Sequence, residues 1–204
     1  MKVLLINGSP HPNGCTHTAL LEVAKILEVE GIETQIFHIG RGPVRGCIAC
    51  NICARLGKCA FDGDPANEML QLMREADGIV VGSPVYYAGP NGALCALLDR
   101  VFHASGGRLA FKPAAAVVSA RRSGTTAAFD RLNKYFTMNR MPIVSSQYWN
   151  GVHGFTPYDV QKDEEGLQTM RTLGYNMAWM LKSISAGEQP IPAVEPWQPT
   201  HFIR

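Results

Sequence analysis

Apolar runs and amphipathic stretches alternate along the whole chain, and their periods predict its elements. KVLLIN (Lys2–Asn7) is a short, mostly apolar run stopped by Gly8-Ser9-Pro10, which predicts a strand buried on both faces. In the following THTALLEVAKILEVEG, residues Leu20, Val23, Ala24 and Leu27 fall on one helical face. Gly31 stands where a C-terminal cap belongs. Further apolar runs predict strands over Glu33–Ile39, Gly78–Ser83, Ala114–Ala120 and Pro142–Trp149. Helical periods predict helices over Ala66–Ala76, Asn91–Ala104, Thr125–Thr137 and Glu164–Ser185. Five strands alternating with five helices predict an α/β protein, with a parallel sheet and helices on both faces through right-handed crossovers. The strands' apolar character agrees, because parallel strands are covered on both sides.

No repeat or linker divides residues 1–187, which are expected to form one domain. The stretch 188–204 differs in kind: Pro190, Pro192, Pro196 and Pro199 forbid helix and predict an extended arm. Trp197 and Phe202 would dock that arm on this subunit or a neighbour, and a partly ordered terminus is the alternative.

Composition narrows the classes. Hydrophobic residues make up 46% of 204, enough for a core, which excludes disorder as the default state. A net charge of +2 argues for neither nucleic acid nor an anionic membrane. The four apolar residues before Asn7 fall short of the roughly 7–15 of a secretory h-region. No window reaches the roughly 18 apolar residues of a membrane span. A cytoplasmic protein is expected. In that reducing compartment GCIACNICARLGKC (Gly46–Cys59), holding four of the six cysteines, points to metal or redox chemistry rather than disulfides.

In an open parallel sheet, ligands bind beyond the carboxyl ends of the strands, so the loops there are the candidates. NGSPHPNGCTHT opens a helix, whose free amides and dipole favour a phosphate; Ser9 and Thr16 add hydroxyls. It is neither a P-loop nor a dinucleotide fingerprint. A plain strand–helix turn with Thr16 as N-cap is the competing reading. In GSPVYYAGPNGALCALLDR, Pro84, Gly89 and Pro90 bar regular helix until about Asn91, so Tyr86 and Tyr87 project from a loop that suits a flat ring system. SARRSGTT places Arg121 and Arg122 before a third helix start.

Together these loops resemble those of the flavodoxin-like NAD(P)H-dependent FMN reductases, over about residues 1–185. The resemblance implies a doubly wound sheet of order 2-1-3-4-5 and FMN as cofactor. It implies a phosphate loop of Ser9, His11, Asn13, Gly14, Cys15 and Thr16, with His11 where the family has Arg and Cys15 where it has Asn or Ser. Pro84, Val85, Tyr86, Tyr87 and Ala88 would run along the isoalloxazine, and Ser119, Arg121 and Gly124 would form the third flavin loop. Asp99-Arg100 matches the family's helix ending. The spacing Cys-x2-Cys-x2-Cys-x5-Cys resembles the motif of the iron–sulfur flavoproteins, a branch of this family in which it holds a [4Fe–4S] cluster close to FMN. That resemblance makes Cys47, Cys50, Cys53 and Cys59 the cluster ligands. Zinc and metal-free thiols stay open beside it, although zinc sites usually space their Cys-x2-Cys pairs further apart.

The activity so implied is an FMN-dependent oxidoreductase. NADH or NADPH would pass hydride to the flavin, which would serve an unknown electron acceptor without a protein acid, base or nucleophile. One alternative is an electron carrier serving a ferredoxin guided by Arg41, Arg45, Arg55 and Lys58; another is a flavin- or metal-binding module without turnover. A homodimer or homotetramer is implied. No Gly-x-Ser-x-Gly elbow supports a triad, and His103, His153 and His201 read as isolated residues.

Overall fold

The computed structural model describes residues 1–196 and 198–200, so Trp197, His201 and Phe202 lie outside the described residues. Its centre is strand β1 (Lys2–Asn7), buried from Val3 onward. Successive side chains point to opposite faces of a strand. Leu4 and Ile6 therefore enter one core with Met69, Leu98 and Phe136, whereas Val3 and Leu5 enter another with Leu20, Leu27 and Met177. β1 pairs in parallel with β2 (Glu33–His38) and β3 (Gly78–Tyr86), β3 with β5 (Ala114–Ala120), and β5 with β6 (Gly151–His153). The resulting order β2-β1-β3-β5-β6 is the doubly wound 2-1-3-4-5 arrangement, once the two-residue β4 (Gly89–Pro90), antiparallel to the end of β3, is set aside. Helices α1 (Cys15–Val29) and α7 (Glu164–Ala186) cover one face; α3 (Ala66–Glu75), α4 (Gly92–Ser105) and α5 (Thr125–Met138) cover the other. The one-turn helices α2 (Cys53–Leu56) and α6 (Pro157–Val160) sit in stretches that the periodicity leaves as loops. Among the described residues no helix is long and apolar enough to cross a membrane.

The predicted fifth strand, Pro142–Trp149, is displaced. Ile143 makes only an isolated bridge to Ala114, and regular pairing begins at Gly151. Pro142 has no N–H to give a ladder. After Val144 donates to the Ala114 carbonyl (2.8 Å), the chain leaves the sheet, with Tyr148 and Trp149 exposed. The buried Asn150 side chain substitutes for the missing strand amide, donating from Nδ2 to the Ala116 carbonyl at 3.0 Å. The third strand runs past Ser83 to Tyr86, because Pro84 still aligns with Ser119 of β5. Beyond Ala186 the described arm residues are exposed and irregular.

Candidate functional site

The loop after β1 is held from below by Asn7, which is wholly buried. Its Oδ1 accepts from the Ser9 amide (3.1 Å) and its Nδ2 donates to the Pro12 carbonyl (3.1 Å). The Gly8 amide donates to the Gly82 carbonyl at 2.8 Å, an approach that needs glycine. A Cβ at Gly8 would lie 2.4 Å from Leu94 Cδ2 and 2.7 Å from that carbonyl oxygen. Ser9 Oγ accepts from the His11 amide (3.1 Å), leaving its own proton for an acceptor in the cleft. The loop delivers the chain to the N-terminus of α1, where the first amides have no intrahelical acceptor and no acidic residue stands in the first turn.

Thr16 does not cap this helix. Gly14 holds the N-cap position, and Thr16 lies one turn-step inside, buried, with Oγ1 2.8 Å from Ser119 Oγ at the end of β5. Cys15 donates its thiol to the Gly154 carbonyl at 3.7 Å, tying the first loop to the segment after β6. Burial pushes the Cys15 thiol up from its ordinary pKa, so it stays protonated as that bond requires.

The second and third loops meet at Gly124. Tyr87 and Ala88 turn through positive φ (50° and 60°), and Gly124 (φ 88°) lies so close that a Cβ there would stand 2.9 Å from Ala88 Cα. Ser9, His11, Asn13, Gly14, Cys15, Thr16, Pro84, Val85, Tyr86, Ser119 and Arg121 line one open cleft of about 710 Å³. Tyr87, Ala88 and Gly124 do not line it: Tyr87 is fully exposed, and the other two form the contact behind the loops. The cleft also takes Pro12, Arg41, Ala120 and Gly154–Pro157, and among the described residues no carboxylate lines it. Arg41 arrives from the end of β2 and donates from Nε to the Pro10 carbonyl at 2.8 Å. Phe155 and Thr156 arrive with α6, whose capping box (Thr156 with Asp159, Pro157 at its start) was a legible local signal.

On the same side of the sheet as α4, the four clustered cysteines converge. Cys47, Cys50, Cys53 and Cys59 line one small cavity of about 20 Å³ with Ile48, Asn51, Phe61, Arg100 and His103. The turns between them are tight: Ala49 and Asn51 adopt φ of 53° and 55°, and Gly57 (φ 68°) ends α2. Cys59 is fixed at its backbone by Asn67, whose Oδ1 accepts from its amide (2.9 Å) and whose Nδ2 donates to its carbonyl (3.0 Å). At its sulfur it accepts from Arg100 Nε at 3.2 Å. Arg100 is 2% exposed and spends the rest of its guanidinium on this loop. Nη1 pairs with Asp64 and donates to the Arg45 carbonyl (3.2 Å), and Nη2 donates to the Phe61 carbonyl (2.9 Å).

All six cysteines are free thiols, and among the described residues no three metal-ligating side chains close to single-ion distance. His103 is not isolated: its Nε2 lies 3.1 Å from Asn51 Oδ1 at the rim of the thiol cavity. His153 stands 3.8 Å from Asp163. The four basic residues read as a ferredoxin guide have different surroundings. Arg41 belongs to the cleft, Arg45 stacks 4.0 Å over Phe61, Lys58 pairs with Asp62 at 3.7 Å, and Arg55 stays exposed.

The NADPH-dependent FMN reductase family matches residues 1–156 of the chain. An iron-sulfur flavoprotein of Methanocaldococcus jannaschii is 34% identical over 195 residues, covering 90% of this chain and 99% of that protein. Among solved structures, RosB with bound 8-demethyl-8-formylriboflavin-5′-phosphate matches with a TM-score of 0.71 at 16% identity, covering 100% of this chain and 94% of that one. A flavodoxin from the domain Archaea matches with a TM-score of 0.61 at 18% identity, covering 89% and 99%. At such identities the structural likeness speaks for the fold, which is flavodoxin-like.

Proposed function

Because the chain belongs to the NADPH-dependent FMN reductase family, we propose that it is a flavin-dependent oxidoreductase. It holds FMN in the cleft above β1, β3 and β5 and takes reducing equivalents from NADH or NADPH for a separate acceptor. The single observation that carries this reading is the donor set of the cleft. Unpaired amides at the start of α1 and the hydroxyls of Ser9 and Thr16 face a space that no carboxylate of the described residues lines, flanked by Arg41 and Arg121. A phosphate monoester suits these donors, and Val85 and Tyr86 offer an apolar wall to the ring system beyond it.

Bound FMN would supply hydride acceptance and one-electron release. The chain's own contribution is binding and orientation. The helix amides and hydroxyls would hydrogen-bond the phosphate, the Asn7 and Gly8 contacts hold the loop's shape, and the Gly124–Ala88 contact sets the second loop. Cys47, Cys50, Cys53 and Cys59 would hold a [4Fe–4S] cluster, the reading favoured by four thiols around one cavity whose fourth sulfur already accepts a guanidinium hydrogen bond.

Protein purified without oxygen tests both halves. Flavin absorbance that bleaches with NADH or NADPH, and a melting temperature raised by added FMN, are expected, together with iron and sulfide in amounts matching one cluster. A colourless protein whose melting temperature ignores FMN would refute the flavin reading. Full flavin without iron or sulfide would refute the cluster alone.

A further inference from the structure

Beside the thiol cavity, and sharing Cys47 and His103 with it, a groove of about 1050 Å³ runs between the C-terminal half of α4 and α5. The flavin cleft uses none of its residues. Its floor is apolar: Phe102 stacks on Tyr135 with centroids 5.4 Å apart, and Met138 lies open at the side.

The groove's charge is one-sided. Among the described residues Asp99 is its one carboxylate and is already engaged, accepting from the Tyr135 hydroxyl at 2.5 Å with Arg131 3.6 Å away. Arg131 also lies 4.5 Å over the Tyr135 ring and donates from Nη2 to the Tyr135 hydroxyl (2.9 Å), so its guanidinium is held in place before a ligand arrives. Burial, then the Asp99 hydrogen bond, push the Tyr135 phenol up, so it adds no negative charge. Lys134 and Arg140 complete the rim, and neither forms an ion pair among the described residues.

We propose that this groove binds a planar organic anion, an aromatic carboxylate or sulfonate, with its ring over the Phe102–Tyr135 floor and its charge toward Arg131, Lys134 and Arg140. An inorganic anion would leave the apolar floor wet, and a neutral ring would leave the cations uncompensated. Binding follows from the groove alone. The role of such an anion as the electron acceptor, seated against the thiol loop, rests on the oxidoreductase reading.

The test is calorimetric titration of FMN-loaded protein with 2-naphthoate, beside its neutral isostere 2-naphthamide. Naphthoate is expected to bind about tenfold more tightly than the amide, a difference of about 1.4 kcal/mol. Raised salt is expected to narrow the difference. Lys134→Ala/Arg140→Ala is expected to lose about tenfold in naphthoate affinity. Met138→Glu, a change at an exposed side chain, is expected to lose at least as much, while FMN content and melting temperature stay unchanged in both variants. Equal affinity for acid and amide, or unchanged naphthoate affinity in either variant, overturns the proposal. Because FMN content is read separately, a groove that fails leaves the flavin cleft standing. A protein that binds naphthoate but no FMN upholds the groove and removes the oxidoreductase reading instead.

Discussion

The buried guanidinium of Arg100 offers the sharpest quantitative test of how the cysteine loop is held. Arg100→Met keeps the length and apolar stem of the side chain but removes every donor. Asp64, 7% exposed at its side chain, then keeps only the amides of Arg45 (3.2 Å) and Ala66 (3.2 Å) against a buried charge. Breaking a buried pair from one side costs about 3–5 kcal/mol, a fifth or more of the roughly 5–15 kcal/mol that holds a domain together. At about 2–4 °C per kcal/mol for a chain of this size, the melting temperature is expected to fall by roughly 6–20 °C in circular dichroism. Arg100→Met/Asp64→Leu is expected to recover part of that loss, because the stranded carboxylate goes with it. In metal-free protein the loop also loses the Arg100 bonds to the Arg45 and Phe61 carbonyls that hold it down, so Cys59 is expected to become more accessible and its alkylation by iodoacetamide, read by mass spectrometry, to rise toward that of the exposed Cys47. A melting temperature within about 2 °C of wild type, or a double variant no better than the single one, would refute the reasoning.

The same pair carries a pH signature. Burial alone would raise the Asp64 carboxyl, but the Arg100 hydrogen bond, the Ala66 and Arg45 amides and the Arg100 charge outweigh it and hold the group below the ordinary carboxylate range. A depressed carboxyl stabilises the fold fully above its unfolded pKa of about 3.9, and that stability is lost as pH falls through the lower folded value. The melting-temperature gap between wild type and Asp64→Asn is therefore expected to close only in acid, below about pH 4. A gap already closing near neutrality would mean that another group carries the linkage.

Three further outcomes follow from the two sites. Ser9→Ala and Thr16→Ala are each expected to weaken FMN at least about tenfold by fluorescence titration, a hydrogen bond to a charged group contributing about 1.5–3 kcal/mol, and Thr16→Ser is expected to bind almost as wild type. Gly124→Ala, which puts a Cβ into Ala88 at a left-handed φ, is expected to lose about 1–3 kcal/mol in urea unfolding and to weaken FMN as well. Serine at Cys47, Cys50, Cys53 or Cys59 is expected to abolish bound iron in protein purified without oxygen, whereas Cys15→Ser and Cys95→Ser keep it, since neither lines the thiol cavity.

The elements that needed only local pattern were legible. Mostly apolar strands such as Lys2–Asn7 announced burial on both faces, and the Gly-, Ser- and Pro-rich loops after them marked one end of the sheet. What the pattern hid was assembled across the chain. Arg41 reaches the cleft because β2 ends beside the first loop, and Phe155 because α6 folds back toward Cys15; neither position has a periodicity of its own. Pro142–Trp149 had the composition of a strand, but Pro142 and the side-chain substitution by Asn150 interrupt its ladder. Arg100 is the most instructive miss. It lies three residues after Leu97 on the buried stripe of α4, so spacing placed it inside while residue type placed it outside. Its partners Arg45, Cys59, Phe61 and Asp64, all more than thirty residues away in the chain, are what make that burial possible.

Helix α4 joins the two sites, and its two ends are anchored separately. At its start Asn91 caps the helix by accepting from the Ala93 amide (3.0 Å), donates from Nδ2 to the Gly8 carbonyl (2.7 Å), and gives its own amide to Ser83 Oγ (2.9 Å). Nine residues later, an axial rise of about 13 Å, Arg100 grips the cysteine loop. Asn91→Ala removes a cap worth about 0.5–2 kcal/mol and leaves the Gly8 carbonyl without its donor, so it is expected to weaken FMN. Cys59 alkylation in that variant is expected to match wild type, because no contact of Asn91 reaches the loop. Arg100→Met is expected to do the reverse, freeing Cys59 while FMN affinity holds. If either change disturbs both readouts, α4 moves as one rigid body, and the flavin cleft and the thiol cavity are mechanically a single site.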